Sequence, residues 1–175
     1  EHDTPRAIAH SAPVTLTPDF LDAARALVAA RSITHEGNLP AIAVLEPLFA
    51  AAGFTTRRLP APDTGDRDAN LLAFDGAGFD RNSLLFVTHL DTVTVGAREA
   101  WRTDPFVLTP DGDDLVGLGA ADVKLDALAK LWALRRLDRT KLRRPVAFLG
   151  TYGEEAGLRG TLEFLRNIIV EPDEA

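Results

Sequence analysis

Two short, unbroken apolar runs limit what this chain can fold into. Residues 83–88 (SLLFVT) and 145–151 (PVAFLGT) lack alternation and are too short for buried helices, the pattern of strands covered on both faces. Between them, residues 123–137 place apolar side chains at helical spacing. Upstream, Thr17-Pro18-Asp19 sets an N-cap, a proline in the first turn and an acid beside it. Phe20, Leu21, Ala24, Leu27 and Val28 then follow at helical spacing, so a helix is predicted to about Ala30. A second helix is predicted over 41–52, stopped by Gly53. Strands follow over 54–59 and 70–74, the latter closed by Asp75-Gly76, and a last helix over 158–166. Residues 92–113 read as a long connection. Strands alternating with helices predict an α/β domain, its sheet largely parallel with helices on both faces.

Composition narrows the function classes. The chain has 175 residues, enough for one domain that buries roughly two-thirds of its unfolded surface. Its net charge is −7, and its one dense basic run, Lys141-Leu142-Arg143-Arg144, reads as a solvated turn. Nucleic acid is therefore not an expected partner, because phosphate binding needs a concentrated basic surface. Without cysteine, disulfides and thiolate metal sites are excluded. No apolar run reaches the roughly 20 residues of a membrane span, and no basic-then-apolar leader opens the sequence. Composition leaves the compartment open, and a cytoplasmic setting is the working expectation. Residues 1–13, polar with two prolines, read as a loose tail before a domain over 14–175.

Three clusters carry chemistry. His89-Leu90-Asp91 directly follows the first apolar strand, at the end where open α/β sheets bind ligands. Residues two apart there point the same way, so the Asp91 carboxylate can accept one ring N–H of His89 and sharpen the other nitrogen as a ligand. A surface loop with a chance histidine is the plainer alternative. Asp122, in GLGAADVK (117–124), falls after two glycines and before a predicted helix. The positive end of a helix dipole would hold its carboxylate, whose two oxygens can bridge cations. A simple aspartate N-cap is the alternative. Glu154-Glu155 follows the second apolar strand. Adjacent carboxylates near a core repel, a conflict resolved if one binds metal and the other serves as a base. An exposed pair would also explain them. Together, the clusters offer nitrogen and oxygen donors without sulfur at one edge of a sheet, the set of a catalytic zinc, cobalt or manganese site.

These residues resemble the M20 metallopeptidase family, which includes acetylornithine deacetylase, succinyl-diaminopimelate desuccinylase, aminoacylase and glutamate carboxypeptidase. The resemblance rests on THLDTV (88–93), Trp101 with Asp104-Pro105-Phe106, GLGAADVK (117–124) and GEEAGLRG (153–160), in order across about residues 14–175. It implies the three-layer fold of a zinc exopeptidase catalytic domain. It further implies that His89, Asp122 and Glu155 bind two zinc ions, with Asp122 bridging. Asp91 would orient His89, and Glu154 would be the general base toward water. Substrates of this kind are N-acyl amino acids or small peptides, and the Trp-x-x-Asp-Pro-Phe stretch resembles the deacetylase and desuccinylase branch. Thr88, Thr94, Leu118 and Leu125 stand where the family has glycine, proline, arginine and glycine. Members are longer than this chain, with an inserted lid or dimerisation domain and further ligands from a later acid and a late histidine. Glu171 follows Glu155 more closely than that acid would. The resemblance therefore implies an incomplete site, finished in a homodimer or by a complementary C-terminal chain. A truncated, non-catalytic binding or assembly module is the alternative.

Overall fold

The computed structural model describes residues 16–169 apart from 63 and 77. The tail expected over 1–13 and the acid Glu171 lie outside the described residues. Helix α1 (Pro18–Ala29) begins where the sequence places it, with Thr17 extended and the Pro18 ring in a turn that needs no amide. It turns Phe20, Ala23, Ala24, Leu27 and Val28 inward. Helix α2 (Leu39–Ala51) buries Ala41, Ile42, Leu45 and Phe49. Gly53, at φ +81°, takes the left-handed backbone that closes a helix.

The strands are β1 (Thr55–Pro60), β2 (Ala69–Phe74), β3 (Leu84–His89) and, after a long excursion, β6 (Val146–Thr151), joined in the order β1-β2-β6-β3. Within the excursion, β4 (Thr109–Asp111) and β5 (Asp114–Val116) form a small antiparallel hairpin turned at Gly112. The Asp111-Gly112 pair is a hairpin signal in a stretch expected to be irregular. Helices α3 (Leu125–Leu134) and α4 (Arg159–Ile169) complete the chain. No helix among the described residues is long and apolar enough to cross a membrane.

The domain is α/β with helices on both faces of the sheet. On one face, Leu71, Ala73, Val146 and Phe148 share a core with α1, α2 and α3, and Phe148 stacks on Phe49 with ring centroids 4.6 Å apart. On the other, Leu72, Phe74, Ala147 and Leu149 pack with Phe164 of α4. The sheet is mixed rather than largely parallel: β1–β2 and β2–β6 are antiparallel, and only β3–β6 is parallel. The link over 61–68 holds no helix and is too short for a crossover, so the chain returns antiparallel; α3 lies in the connection that brings β6 parallel to β3.

A second expectation is corrected at β3. Strand β6, flanked by β2 and β3, is buried throughout. Strand β3 is an outer strand, leaving Leu84 48% and Val87 43% exposed, so it is not covered on both faces. Its apolar run reports the burial its composition suits, while its position in the sheet sets the burial it receives.

Candidate metal centre

Parallel pairing of β3 with β6 builds the site. The register sets His89 opposite Thr151, so the loops leaving both strands open on the same edge. His89 ends β3, and Glu154-Glu155 follow β6 through Gly153, whose φ of +62° makes the turn. The third cluster arrives from the loop before α3. One ligand atom from each of His89, Asp122 and Glu155 lies within 4.8 Å of the others.

The imidazole is held by main chain. Its Nδ1 lies 3.0 Å from the backbone carbonyl oxygen of Asp91. A carbonyl only accepts, so Nδ1 carries the hydrogen, and in the neutral ring Nε2 holds the lone pair. That lone pair faces Asp122 Oδ1 at 3.0 Å. Two acceptors at this distance repel unless a proton or a metal cation lies between them. Glu154 Oε2 stands 3.9 Å from the same Nε2. Burial first, and then the charge of Asp122, raise the Glu155 carboxyl above the usual glutamate range, with Glu154 and Asp91 adding to the effect and His89 opposing it. A nitrogen lone pair and crowded carboxylates, without sulfur, fit a hydrolytic divalent metal.

Two local expectations change. The Asp91 carboxylate does not accept the imidazole N–H, its nearer oxygen lying 3.8 Å from Nδ1. Three other donors draw it away: Oδ1 accepts from the Glu154 amide at 3.0 Å, and Oδ2 from the Glu155 amide at 3.3 Å and the Thr34 hydroxyl at 2.8 Å. Asp91 is 1% exposed and ties the two-glutamate loop to the end of β3. Asp122, in turn, is not at a helix start. It lies in an irregular turn over Ala120–Lys124 at φ −125°, ψ 84°, with a cis peptide to Val123, and α3 begins at Leu125. Its side chain is 78% exposed, so solvent and neighbouring ligands surround its carboxylate. Gly119 permits the turn: its φ is +72°, and a Cβ there would fall 2.5 Å from Thr92 Cγ2.

Two contacts had no local sequence signal. Thr34 reaches Asp91 from 57 residues away. Lys124 is 1% exposed and donates from Nζ to the Ala30 carbonyl oxygen at 2.7 Å, and burial pushes its pKa down to about 8. The Trp-x-x-Asp-Pro-Phe stretch braces the same region. Asp104 Oδ1 accepts from the Phe106 amide at 2.9 Å, Pro105 O accepts from the Leu118 amide at 2.7 Å, and the Arg31 guanidinium lies 4.2 Å from the Phe106 ring centroid. Thr88, beside His89, donates to Asp126 Oδ2 at 2.6 Å, an oxygen shared with Lys130.

Known proteins share this sequence pattern and this fold. The acetylornithine deacetylase of Salmonella typhimurium is 36% identical over 162 residues, 89% of this chain and 41% of that protein. This chain thus spans about two-fifths of the length of the curated relatives it matches. An M20 family metallo-carboxypeptidase from Sulfolobus solfataricus superposes with a TM-score of 0.74 at 21% identity, covering 86% of this chain and 34% of its own. Human carnosine dipeptidase 1 does so with a TM-score of 0.68 at 23% identity, covering 85% and 35%. At such identities these two likenesses are of fold. The model of peptidase family M20/M25/M40 matches residues 85–174, just over half the chain, and takes in all of β3 after Leu84, the Asp122 turn, β6 and the two glutamates together. With family model and curated relatives in agreement, the chain belongs to the peptidase M20/M25/M40 family.

Proposed function

We propose that this chain supplies the metal-binding edge and the general base of a metal-dependent amide hydrolase acting on an N-acyl amino acid or a small peptide. The observation that carries the reading is the convergence of His89, Asp122 and Glu155 within 4.8 Å, with the Glu154 carboxylate 3.9 Å from His89 Nε2. The deacetylase relative favours the N-acyl amino acid as substrate.

His89 and Glu155 would each hold one of two zinc ions, and Asp122, with two carboxylate oxygens, would hold both. Cobalt and manganese suit the same donors. Bound there, the metals supply Lewis acidity toward an amide carbonyl and make water a stronger acid. The residues of the chain do the rest. His89, its tautomer set by the Asp91 carbonyl, keeps Nε2 free to ligate. Asp91 fixes the backbone of both glutamates, so the base and a ligand move as one unit. Glu154 Oε2 takes a proton from the attacking water and returns it to the leaving nitrogen. A homodimer, or a complementary C-terminal chain, would complete the substrate site.

Calorimetric titration of the whole chain with zinc checks the metal centre. Binding that His89→Ala weakens at least about tenfold supports the reading, and wild-type protein that binds no zinc overturns it. Hydrolysis of an N-acetyl amino acid, by this chain alone or mixed with a C-terminal chain, falls by about 10²–10⁴-fold in Glu154→Gln while zinc affinity holds. Zinc binding with no hydrolysis in either setting would favour a non-catalytic module.

A further inference from the structure

We infer that Thr34 is a positioning residue of the metal centre, and that the segment 30–34 leaving α1 is a brace joining the loops that carry the metal ligands and the base. This rests on the metal-centre reading above and adds to it a residue outside the matched family region.

The argument begins with the charge on Asp91. A buried carboxylate is costly unless donors or a counter-ion compensate it. No lysine or arginine among the described residues pairs with Asp91, and its donors are two backbone amides and the Thr34 hydroxyl. Both amides belong to the loop that Asp91 positions. Thr34 is therefore its one side-chain donor from outside that loop among the described residues, and the anchor against which the loop is held. Hydrogen bonds to a charged acceptor are about twice as strong as neutral ones. The hydroxyl proton accordingly goes to Oδ2 at 2.8 Å rather than to the Thr92 carbonyl at 3.0 Å.

Backbone pairing aims Thr34. Residues Ile33 and Thr92 form an isolated parallel bridge, the Thr34 amide donates to Thr92 O at 3.0 Å, and the Thr92 amide donates to Ser32 O at 2.9 Å. One end of the segment is fastened where Lys124 Nζ meets Ala30 O, drawing in the turn that carries Asp122. Arg31 within the segment and Glu36 just beyond its other end close a two-pronged ion pair at 3.0 and 2.7 Å. A single short stretch of chain thus touches the Asp122 turn directly and, through Asp91, both Glu154 and Glu155.

Thr34→Val keeps the shape and deletes the donor, leaving Asp91 Oδ2 with one partner fewer. Partners of this kind behind metal ligands typically matter by 10–100-fold in metal affinity. The test is zinc titration of the whole chain, with the melting temperature of the metal-free protein measured alongside. Thr34→Val is expected to weaken zinc binding about tenfold or more, and Thr34→Ser, which restores the hydroxyl, to bind within about threefold of wild type. In an Asp91→Asn background, Thr34→Val is expected to add little, because its effect passes through that carboxylate. If valine compromises folding, Thr34→Ala removes the same donor without a methyl beside the charge and is read in its place. Unchanged zinc affinity in the folded donor-less variant overturns the inference, as does full additivity with Asp91→Asn. Wild-type protein that binds no zinc sinks the metal-centre reading instead, so the two failures are distinct.

Discussion

His89 turns Nε2 toward Asp122 because a main-chain carbonyl holds its other nitrogen. This separates two jobs that a carboxylate two residues on could have combined. Asp91→Asn places an amide where three donors converge, so it sets donor against donor on the two-glutamate loop. The tautomer of His89, fixed by the Asp91 backbone, should survive that change. Nitrogen NMR of the metal-free variant is expected to show a neutral His89 still protonated at Nδ1, while zinc affinity falls about tenfold. A shift of the hydrogen to Nε2 would return the orienting role to the carboxylate. The sequence makes the residues of this candidate site legible, because His89, Glu154 and Glu155 sit at or just past strand ends and Asp122 follows a pair of glycines. It does not make their hydrogen bonds legible. Whether a carboxylate or its own carbonyl meets an imidazole depends on competing donors, and here one of them, Thr34, comes from far along the chain.

At the scale of elements, long amphipathic patterns translate directly and short polar links do not. The helices α1, α2 and α3 fall within a few residues of their sequence positions, because each buries a continuous apolar stripe. The stretch before α2 carries no strand pattern, yet Asn38 in it acts as a strand partner. Its side-chain amide donates to Ala69 O at 2.8 Å and its carbonyl accepts from the Ala69 amide at 3.0 Å, while its own amide donates to Asp68 Oδ1 at 3.1 Å. Asn38 is fully buried, so no water can replace these bonds. Asn38→Ala leaves a buried donor and a buried acceptor of β2 without partners, at about 1–3 kcal/mol each. The expected loss in denaturant unfolding is about 2–4 kcal/mol, with the midpoint lowered and the slope unchanged. A loss under about 0.5 kcal/mol would mean that another group takes over the pairing. No periodicity marks such a residue, since it mimics backbone rather than filling a core. The same logic explains the mixed sheet: apolar runs identify strands, while the presence or absence of a helix in each connection sets their direction.

For the whole molecule, the outer strand matters most. The run 83–88 has the composition of a strand buried on both faces, and this chain covers it incompletely, with Leu84 and Val87 nearly half exposed. Exposed outer strands that are apolar and carry unpaired backbone groups recruit other strands. One guard is present: Lys130 Nζ donates to the Val87 carbonyl oxygen at 2.7 Å and blocks pairing at that position. Among the described residues nothing comparable covers Leu84, at the end of β3 away from His89. The chain in isolation should therefore self-associate as its concentration rises, with strand β3 as the contact. Leu84→Lys adds a charge where a second strand would dock and leaves His89 and its partners untouched. Sedimentation velocity should find wild-type protein moving to larger species across a dilution series, and the lysine variant remaining monomeric about tenfold further up that series. Zinc titration of the variant should match wild type, which ties any loss of association to the strand edge rather than to the site. A wild-type chain that stays monomeric throughout would show that Lys130 is guard enough, and that the apolar run of β3 is quiet without a neighbour.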